Sequence, residues 1–439
     1  MLWQAARAIY PLTPFIWWRR ISAGCDEKFM KTLAPGWVAG ILVLPLCIGP
    51  KSFGSTIHVP QDQPTIEAGI NAANNGDTVL VAPGTYNENI DSQGKAITVT
   101  TSAGPKATII DGGGLAPVAS FTTNELTNSV LSGFTLQNGS ATSSGEGGGV
   151  YIFGASPTVT GNVIQDSVAG AFGGGIGIDS ASPVIQGNLI RNNSASFGGG
   201  ISVYGTCTAQ IISNKIYGNS AISAGGGMNL FGAGTPTIED NFIYLNSAGG
   251  AQGGGMWIVN DSDALIIQNL IADNSASQGS AIYFLVPSGS QGPTLVNNTL
   301  AGVTGFTQGQ VVWASGFDSQ AQFFNNIVVG VDGQDGIWCD NTYSQQPPIL
   351  NNNDAWTVSG TGFQGTCVGE GGQNGNVSSN PQWVNPRKGN FQLRKTSPVI
   401  NAGDNSAPDL PAMDLADHPR IVGGTVDMGA YEYQGTVNP

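Results

Sequence analysis

Basic side chains are scarce in this sequence: 15 Lys and Arg stand against 29 Asp and Glu in 439 residues, a net charge of −14. A chain so poor in cations has no basic stripe to neutralise phosphates, which excludes nucleic acid as a partner. Charge of either sign is limited to 10% of residues while 40% are hydrophobic. Such a chain is too apolar for disorder and too uncharged for an ordinary globular enzyme. Histidine is limited to His58 and His418, far apart in sequence, which fits structural roles and not a metal site. Past Ser55 the cysteines are Cys207, Cys339 and Cys367. In an oxidising compartment Cys339 and Cys367 would close a loop, with Cys207 a buried thiol inside the repeat described below; the alternative is three free thiols. Past the N-terminal stretch no apolar run is long enough to span a bilayer, so a soluble mature chain without a transmembrane anchor is expected. What the sequence has in abundance is glycine, 65 residues of it, and glycine in quantity with little charge points to repetitive architecture.

Residues 1–54 read as leader and signal peptide. Lys31 supplies a charged start, Trp37 to Ile48 an apolar stretch, and Ser52-Phe53-Gly54 small residues at both positions that guide cleavage, so cleavage is expected before Ser55. Residues 1–29 sit awkwardly ahead of that signal: either translation starts at Met30, the preferred reading, or Met1 to Arg20 is an unusual leader. Cys47 follows the bulky Leu46, which argues against a lipoprotein anchor. The expected location is secreted or extracellular.

The sequence repeats itself. A glycine triplet followed by an aliphatic recurs at Gly147-Gly148-Gly149-Val150, Gly173 to Ile176, Gly198 to Ile201, Gly225 to Met228 and Gly253 to Met256, with a weakened copy at Gly279 to Ile282. A second mark, Asn-x-aliphatic, recurs at Asn162, Asn188, Asn214, Asn241, Asn269, Asn298 and Asn326. Neighbouring copies lie 25 to 29 residues apart, the range of solenoids. Within each copy apolar residues alternate as in strands, three short strands fit between turn clusters such as Arg191 to Ser194, and no room remains for a helix. The pattern therefore predicts an all-β chain, a right-handed parallel β-helix over residues 55–331 with coils of roughly 26 residues. Aliphatics of one parity, Val150 and Ile152 through Ile282 and Phe284, would stack inside. The asparagines share the inward parity and would satisfy one another in a column, while the glycines mark a corner needing positive φ or close backbone approach.

An open solenoid end exposes core and unpaired backbone, so a cap is expected. Thr65 to Ala73 has helical apolar spacing after Pro64, and the strand Asp77 to Tyr86 follows. With Gly76-Asp77-Thr78 and Pro83-Gly84-Thr85-Tyr86, this segment resembles the first coil of the pectin-lyase-like superfamily of right-handed β-helix proteins, a likeness that covers about Thr56 to Gly330. After Asp332 the period is lost. Residues 332–439 are expected to form an irregular capping region, and Ser397 to Asp404, Asp414, Asp417, Arg420 and Gly424 to Tyr433 are similar to the choice-of-anchor Q module of bacterial surface β-helix proteins. That module ordinarily precedes an anchoring signal; only Gln434 to Pro439 follow here, so no anchor is expected. Its Asp-rich loops are read either as folding over the last coil, with Arg420 pairing with Asp414 or Asp417, or as holding Ca²⁺, the one cofactor these acids suggest.

The resemblance implies polysaccharide chemistry, because lyases of this superfamily pair Ca²⁺-holding acids with an Arg or Lys base. Between Ser120 and Ser379 the only bases are Arg191 and Lys215, and the coil acids are scattered, so no catalytic set can be named. The outward parity is more informative: Tyr151, Phe153, Asp179, Tyr204, Phe231, Trp257 and Tyr283 after the glycines, and Arg191, Lys215, Tyr217, Phe242 and Tyr244 beside the asparagines. Rings on adjacent coils would stand roughly 4.8 to 10 Å apart, a spacing able to meet successive sugars, with the two bases beside them for an acidic glycan. The bland alternative is that aromatics simply favour strands. The expectation is a secreted, monomeric β-helix that binds extracellular or cell-surface polysaccharide; the alternatives are a pectate-lyase-like polysaccharide lyase and a surface adhesin.

Overall fold

A computed structural model describes residues 54–142, 145–304, 309–317, 320–343 and 347–435; the leader and signal reading falls on residues 1–53, outside that range. The described chain is a right-handed parallel β-helix. Its strands form parallel sheets of 12, 11 and 11 strands, here the first, second and third, and a short fourth sheet of 4. Each full coil passes through them in a fixed order, as Thr158–Thr160 in the first, Val163–Gln165 in the second, Val168–Ala169 in the fourth and Ile176–Asp179 in the third. In the three long sheets each coil registers on the next without slip of parity, for example Val150 on Ile176, Ile176 on Ile201 and Ile201 on Met228, while the short fourth sheet shifts register between Ala195 and Phe197.

That register makes the core. Ile164, Ile190, Ile216, Ile243 and Ile271 form one fully buried column, and Val159, Ile185, Ile211, Ile238 and Ile266 another. Each such side chain contributes about 1.5–3 kcal/mol by leaving water, and only its neighbours above and below complete that burial. At the N-terminal end the helix α1, Ile66–Ala72, closes the core with Ile66 and Ile70 buried. Thr65 caps it by accepting the Ala68 N–H at 3.1 Å, and the Glu88 carboxylate accepts the Ile66 and Glu67 N–H groups at 3.0 and 2.9 Å, where the helix dipole favours an anion.

The asparagine column forms as expected. Asn188 Oδ1 accepts the Asn162 N–H at 3.0 Å, Asn214 Oδ1 that of Asn188 at 2.9 Å, and each Nδ2 donates to a carbonyl of the preceding coil. It runs further than the sequence pattern, through Asn353 to Asn376, and the three sheets likewise continue past Asp332 to Ile349–Asn351, Asp354–Thr357 and Phe363–Gly365. Pairing needs only backbone and inward parity, which survive after the glycine mark has faded. A second buried column, Asn193, Asn219, Asn246 and Asn274, repeats the same bonding at the next corner.

Cys339 and Cys367 are joined by a disulfide, and Cys207 is a buried free thiol. The C-terminal segment does not fold over the last coil. It runs back along the flank, over the corner between the first and second sheets: Asn352 Nδ2 donates to Ala402, Asn325 Nδ2 to Asp404, and Asn297 Nδ2 to Asp427 and Gly429. The reason is apolar: Leu393, Val399, Met428 and Phe391 are buried against outward residues of those coils, among them Ile327, Val329, Leu270 and Ala301. Arg420, expected to pair with Asp414 or Asp417, instead donates to the Gly429 and Ala430 carbonyls and to Gln268 Oε1. Its burial pulls the guanidinium down to about 10, opposed by the nearby charges of Glu432, Asp414, Asp427 and Asp240.

Candidate functional site

The residues singled out from the sequence divide between two faces. On the third sheet the register aligns Tyr151, Gly177, Ser202, Asn229, Trp257 and Tyr283 in one outward row, and Phe153, Asp179, Tyr204, Phe231, Val259 and Leu285 in the next. Arg191, Lys215, Tyr217, Phe242 and Tyr244 lie on the second sheet, with the short fourth sheet intervening in the coil. The two bases therefore stand beside the second-sheet rings Tyr217 and Phe242, and the glycine-row aromatics of the third sheet have no base in their rows. Both are also engaged: Arg191 donates to Gln165 Oε1 at 2.7 and 3.0 Å and to the Tyr217 hydroxyl at 3.2 Å, and Lys215 Nζ sits 5.7 Å from the Phe242 ring centroid. Phe242 packs against the group that includes Phe391 of the C-terminal segment, so it offers no open platform. Tyr217 and Tyr244 stack on each other at 4.9 Å and 9°.

The third-sheet face differs from expectation in two ways. First, Tyr283 is buried, at 7% exposure, as are Gly177, Ser202, Asn229 and Val259. The cover comes from residues not read from the sequence, those immediately before each triplet: Glu146, Phe172, Phe197, Ala224, Gln252 and Gln278, bridged coil to coil. The first triplet glycine has φ between 64° and 68° at Gly147, Gly173, Gly198, Gly225 and Gly253, a left-handed corner that L side chains avoid. At Gly173 a Cβ would lie 2.2 Å from the Ile176 carbonyl oxygen. This sharp fold swings the preceding side chain over the following strand. Phe172 thereby reaches Tyr204 at 5.6 Å between ring centroids, Phe197 reaches Trp257 at 5.5 Å, and the Trp257 indole N–H donates to Gln252 Oε1 at 3.2 Å. The only sequence signal was the fixed offset of Phe172 and Phe197 from their glycines.

Second, the rings stack on one another. Phe172 with Phe197 and Tyr204 with Phe231 stand 5.5 and 5.6 Å apart at 27° and 19°. Their faces are shared along the axis and their edges point outward, so the expected row of open flat platforms is replaced by a ribbed aromatic strip. Phe153 at 47% and Tyr204 at 37% exposure are its most open members. At one end of the strip, burial and then the charge of Asp179 push the Glu146 carboxyl above its usual range. The Tyr151 phenol is raised by burial, Glu146 and Asp179. At the other end Gln252 and Gln278 bond to each other at 2.9 Å. The strip thus combines aromatic edges with carboxylates and amides, and no Lys or Arg belongs to its rows. Among the described residues no group of three or more His, Cys, Asp or Glu side chains is placed to hold a metal ion.

The model of the family described as the right handed beta helix region matches residues 68–243 and 198–354. Among solved structures, pectate lyase Pel9A superposes with a TM-score of 0.50 at 15% identity, covering 83% of this chain and 90% of its own. XylC in complex with xylose gives 0.49 at 11%, covering 84% and 96%. PfbA, a surface adhesin of Streptococcus pneumoniae, gives 0.44 at 13%, covering 68% and 86%. At such identities the likeness shows the fold alone. No curated protein matches the sequence.

Proposed function

The chain belongs to the right-handed beta-helix family, and from that premise we propose that it is an extracellular protein that binds polysaccharide along the third-sheet strip. The observation that carries the reading is the strip itself: Phe153, Phe172, Phe197, Tyr204, Phe231 and Trp257, held in register over successive coils and left partly open to solvent. A solenoid rises about 4.8 Å per coil, so the strip offers a track of roughly 20 Å, enough for several successive sugar rings. Aromatic edges supply apolar contact, and Glu146, Asp179, Gln252 and Gln278 supply acceptors and donors for hydroxyl groups. The carboxylates and the missing bases favour an uncharged glycan over a polyuronate, against the acidic glycan expected from sequence. The disulfide Cys339–Cys367 suits an oxidising compartment, in keeping with the signal pattern after Met30.

A lyase would need a base beside acids and is disfavoured by the engagement of Arg191 and Lys215 on another face. The test is a glycan array with the wild-type protein and the double variant Tyr204→Ala, Trp257→Ala. Binding to uncharged glycans that falls at least tenfold in the variant supports the strip; binding that survives intact overturns it. Ultraviolet-absorbing unsaturated products from polyuronates with Ca²⁺ would replace the reading with the lyase.

A further inference from the structure

The cleavage signal before Ser55 and the fold after it meet at one carboxylate. The strand Thr56–Val59 is the outermost of the first sheet and pairs on one side only, Thr56 with Thr78 and Val59 with Val81. A four-residue edge strand that also begins the fold is prone to fray unless its first residues are tied down. The tie is Asp77, from the Gly76-Asp77-Thr78 run that neither the core nor the strip uses. Its Oδ1 accepts the Ser55 N–H at 2.7 Å and its Oδ2 the Asn74 N–H at 2.8 Å, while the Ser55 carbonyl accepts the Thr78 N–H at 2.8 Å.

Asp77 is 7% exposed, and its backbone is fixed on both sides: its N–H donates to the Asn74 carbonyl and its carbonyl accepts the Thr98 N–H, each at 3.0 Å. The bonds from Asn74 and Ser55 hold its carboxyl below the usual range, so it is ionised at neutral pH. Among the described residues no Lys, Arg or His forms an ion pair with it. The titratable groups of the flanking segments are engaged elsewhere: His58 with Asp62 at 3.1 Å, and Lys95 Nζ with the Ile70 and Asn71 carbonyls at 2.6 and 2.8 Å. A charged donor where the Ser55 amide now stands would make a hydrogen bond roughly twice as strong as a neutral one.

We propose that Asp77 is the receptor for the α-ammonium group of the mature chain, so that cleavage between Gly54 and Ser55 completes the N-terminal closure of the solenoid. The step is hydrolysis by a leader peptidase: water adds across the Gly54–Ser55 amide, the new carboxylate leaves on Gly54, and the Ser55 nitrogen keeps its electron pair and takes up a proton. One N–H of the ammonium keeps Asp77 Oδ1 as its partner, and because Ser55 is exposed the others reach water. Gly54 meets two demands at once. A Cβ there would run into the Gly76 carbonyl oxygen, and a small residue is also what a leader peptidase accepts immediately before the cut. An ammonium paired in this way titrates above an ordinary α-amino group, so the tie is present at neutral pH and is lost as pH rises through the raised value. The proposal rests on the reading of the protein as extracellular and is independent of the strip and its ligand.

The test expresses the full chain in a secreting bacterial host in three forms: wild type, Asp77→Asn, and a chain with one Ala inserted between Gly54 and Ser55, which moves the new amine one residue away from Asp77. Intact mass of the exported protein gives its first residue. The α-amine is then labelled by reductive methylation with ¹³C, which preserves its charge, and titrated by NMR. The expected result is a wild-type product that starts at Ser55 and an amine whose midpoint lies at least about one pH unit above that of both other forms. A product starting elsewhere, or equal midpoints in wild type and the Ala-inserted form, overturns the proposal and leaves the extracellular reading intact. A chain that is neither exported nor cut overturns both. The Ala-inserted form keeps Asp77 and every later residue, so it decides the matter even where Asp77→Asn fails to fold.

Discussion

At the scale of the residue, buried asparagine is the unit that fixes the coil. Asn241 shows why: Oδ1 accepts the Asn214 N–H at 2.9 Å, while Nδ2 donates to Ile211 and Glu239 carbonyls at 2.8 and 2.9 Å and to Asn269 Oδ1 at 3.0 Å. No other small side chain satisfies that many backbone groups without water. Asn241→Ala orphans several at once and is expected to cost about 2–4 kcal/mol in urea unfolding; a loss below 0.5 kcal/mol would contradict the accounting. The first asparagine column was legible because Asn precedes an aliphatic at constant spacing. The second, Asn193 to Asn274, hid in stretches such as Arg191-Asn192-Asn193-Ser194 that read equally well as solvent turns, since sequence does not say which of two adjacent polar residues faces inward.

At the scale of the element, the glycine triplet is a steric device. A Cβ on Gly226 would lie 2.5 and 2.6 Å from the Ser247 carbonyl carbon and oxygen and 2.7 Å from the Gly254 oxygen, backbone atoms of neighbouring segments that cannot yield. Gly226→Ala is therefore expected to cost more than about 3 kcal/mol or to abolish soluble expression. Gly232, with φ of 57° and nothing within 4 Å of a Cβ, is expected to lose only about 1–2 kcal/mol on the same change. Thermal unfolding of the two variants checks the contrast, and a Gly226→Ala shift no larger than that of Gly232→Ala would show that close backbone approach does not set the glycine requirement at Gly226. The triplets announced themselves in sequence, but their effect on Phe172 and Phe197 did not. That a corner folds back far enough to roof the next strand is a consequence of backbone angles, and the period carries no record of them.

At the scale of the molecule, acids in the C-terminal flank and the last coils are held against their ordinary titration. Burial pushes Asp354 and Glu432 up to about 7 and Asp427 up to about 6. These folded-state values lie above those of an unfolded chain, so the folded chain binds more protons between about pH 4 and 7, and stability falls as pH rises through that window. The melting temperature is expected to be higher at pH 5 than at pH 8. Asp354→Asn should recover part of the difference, of the order of 2 kcal/mol, because its Oδ1 still accepts the Ser379 N–H and no charge is buried. A melting temperature that is flat or rises towards pH 8 would refute this. Period, inward parity and the asparagine mark determined the β-helix from the sequence alone, because one coil's pattern is repeated by every neighbour it pairs with and local chemistry is then the global fold. Tertiary structure alone decided which outward aromatics share a face, that their rings stack edge-outward, that Phe242 and Tyr283 are covered, and that residues 380–435 lie along the flank. Those outcomes depend on contacts between non-repeating segments, for which no neighbouring coil supplies a template.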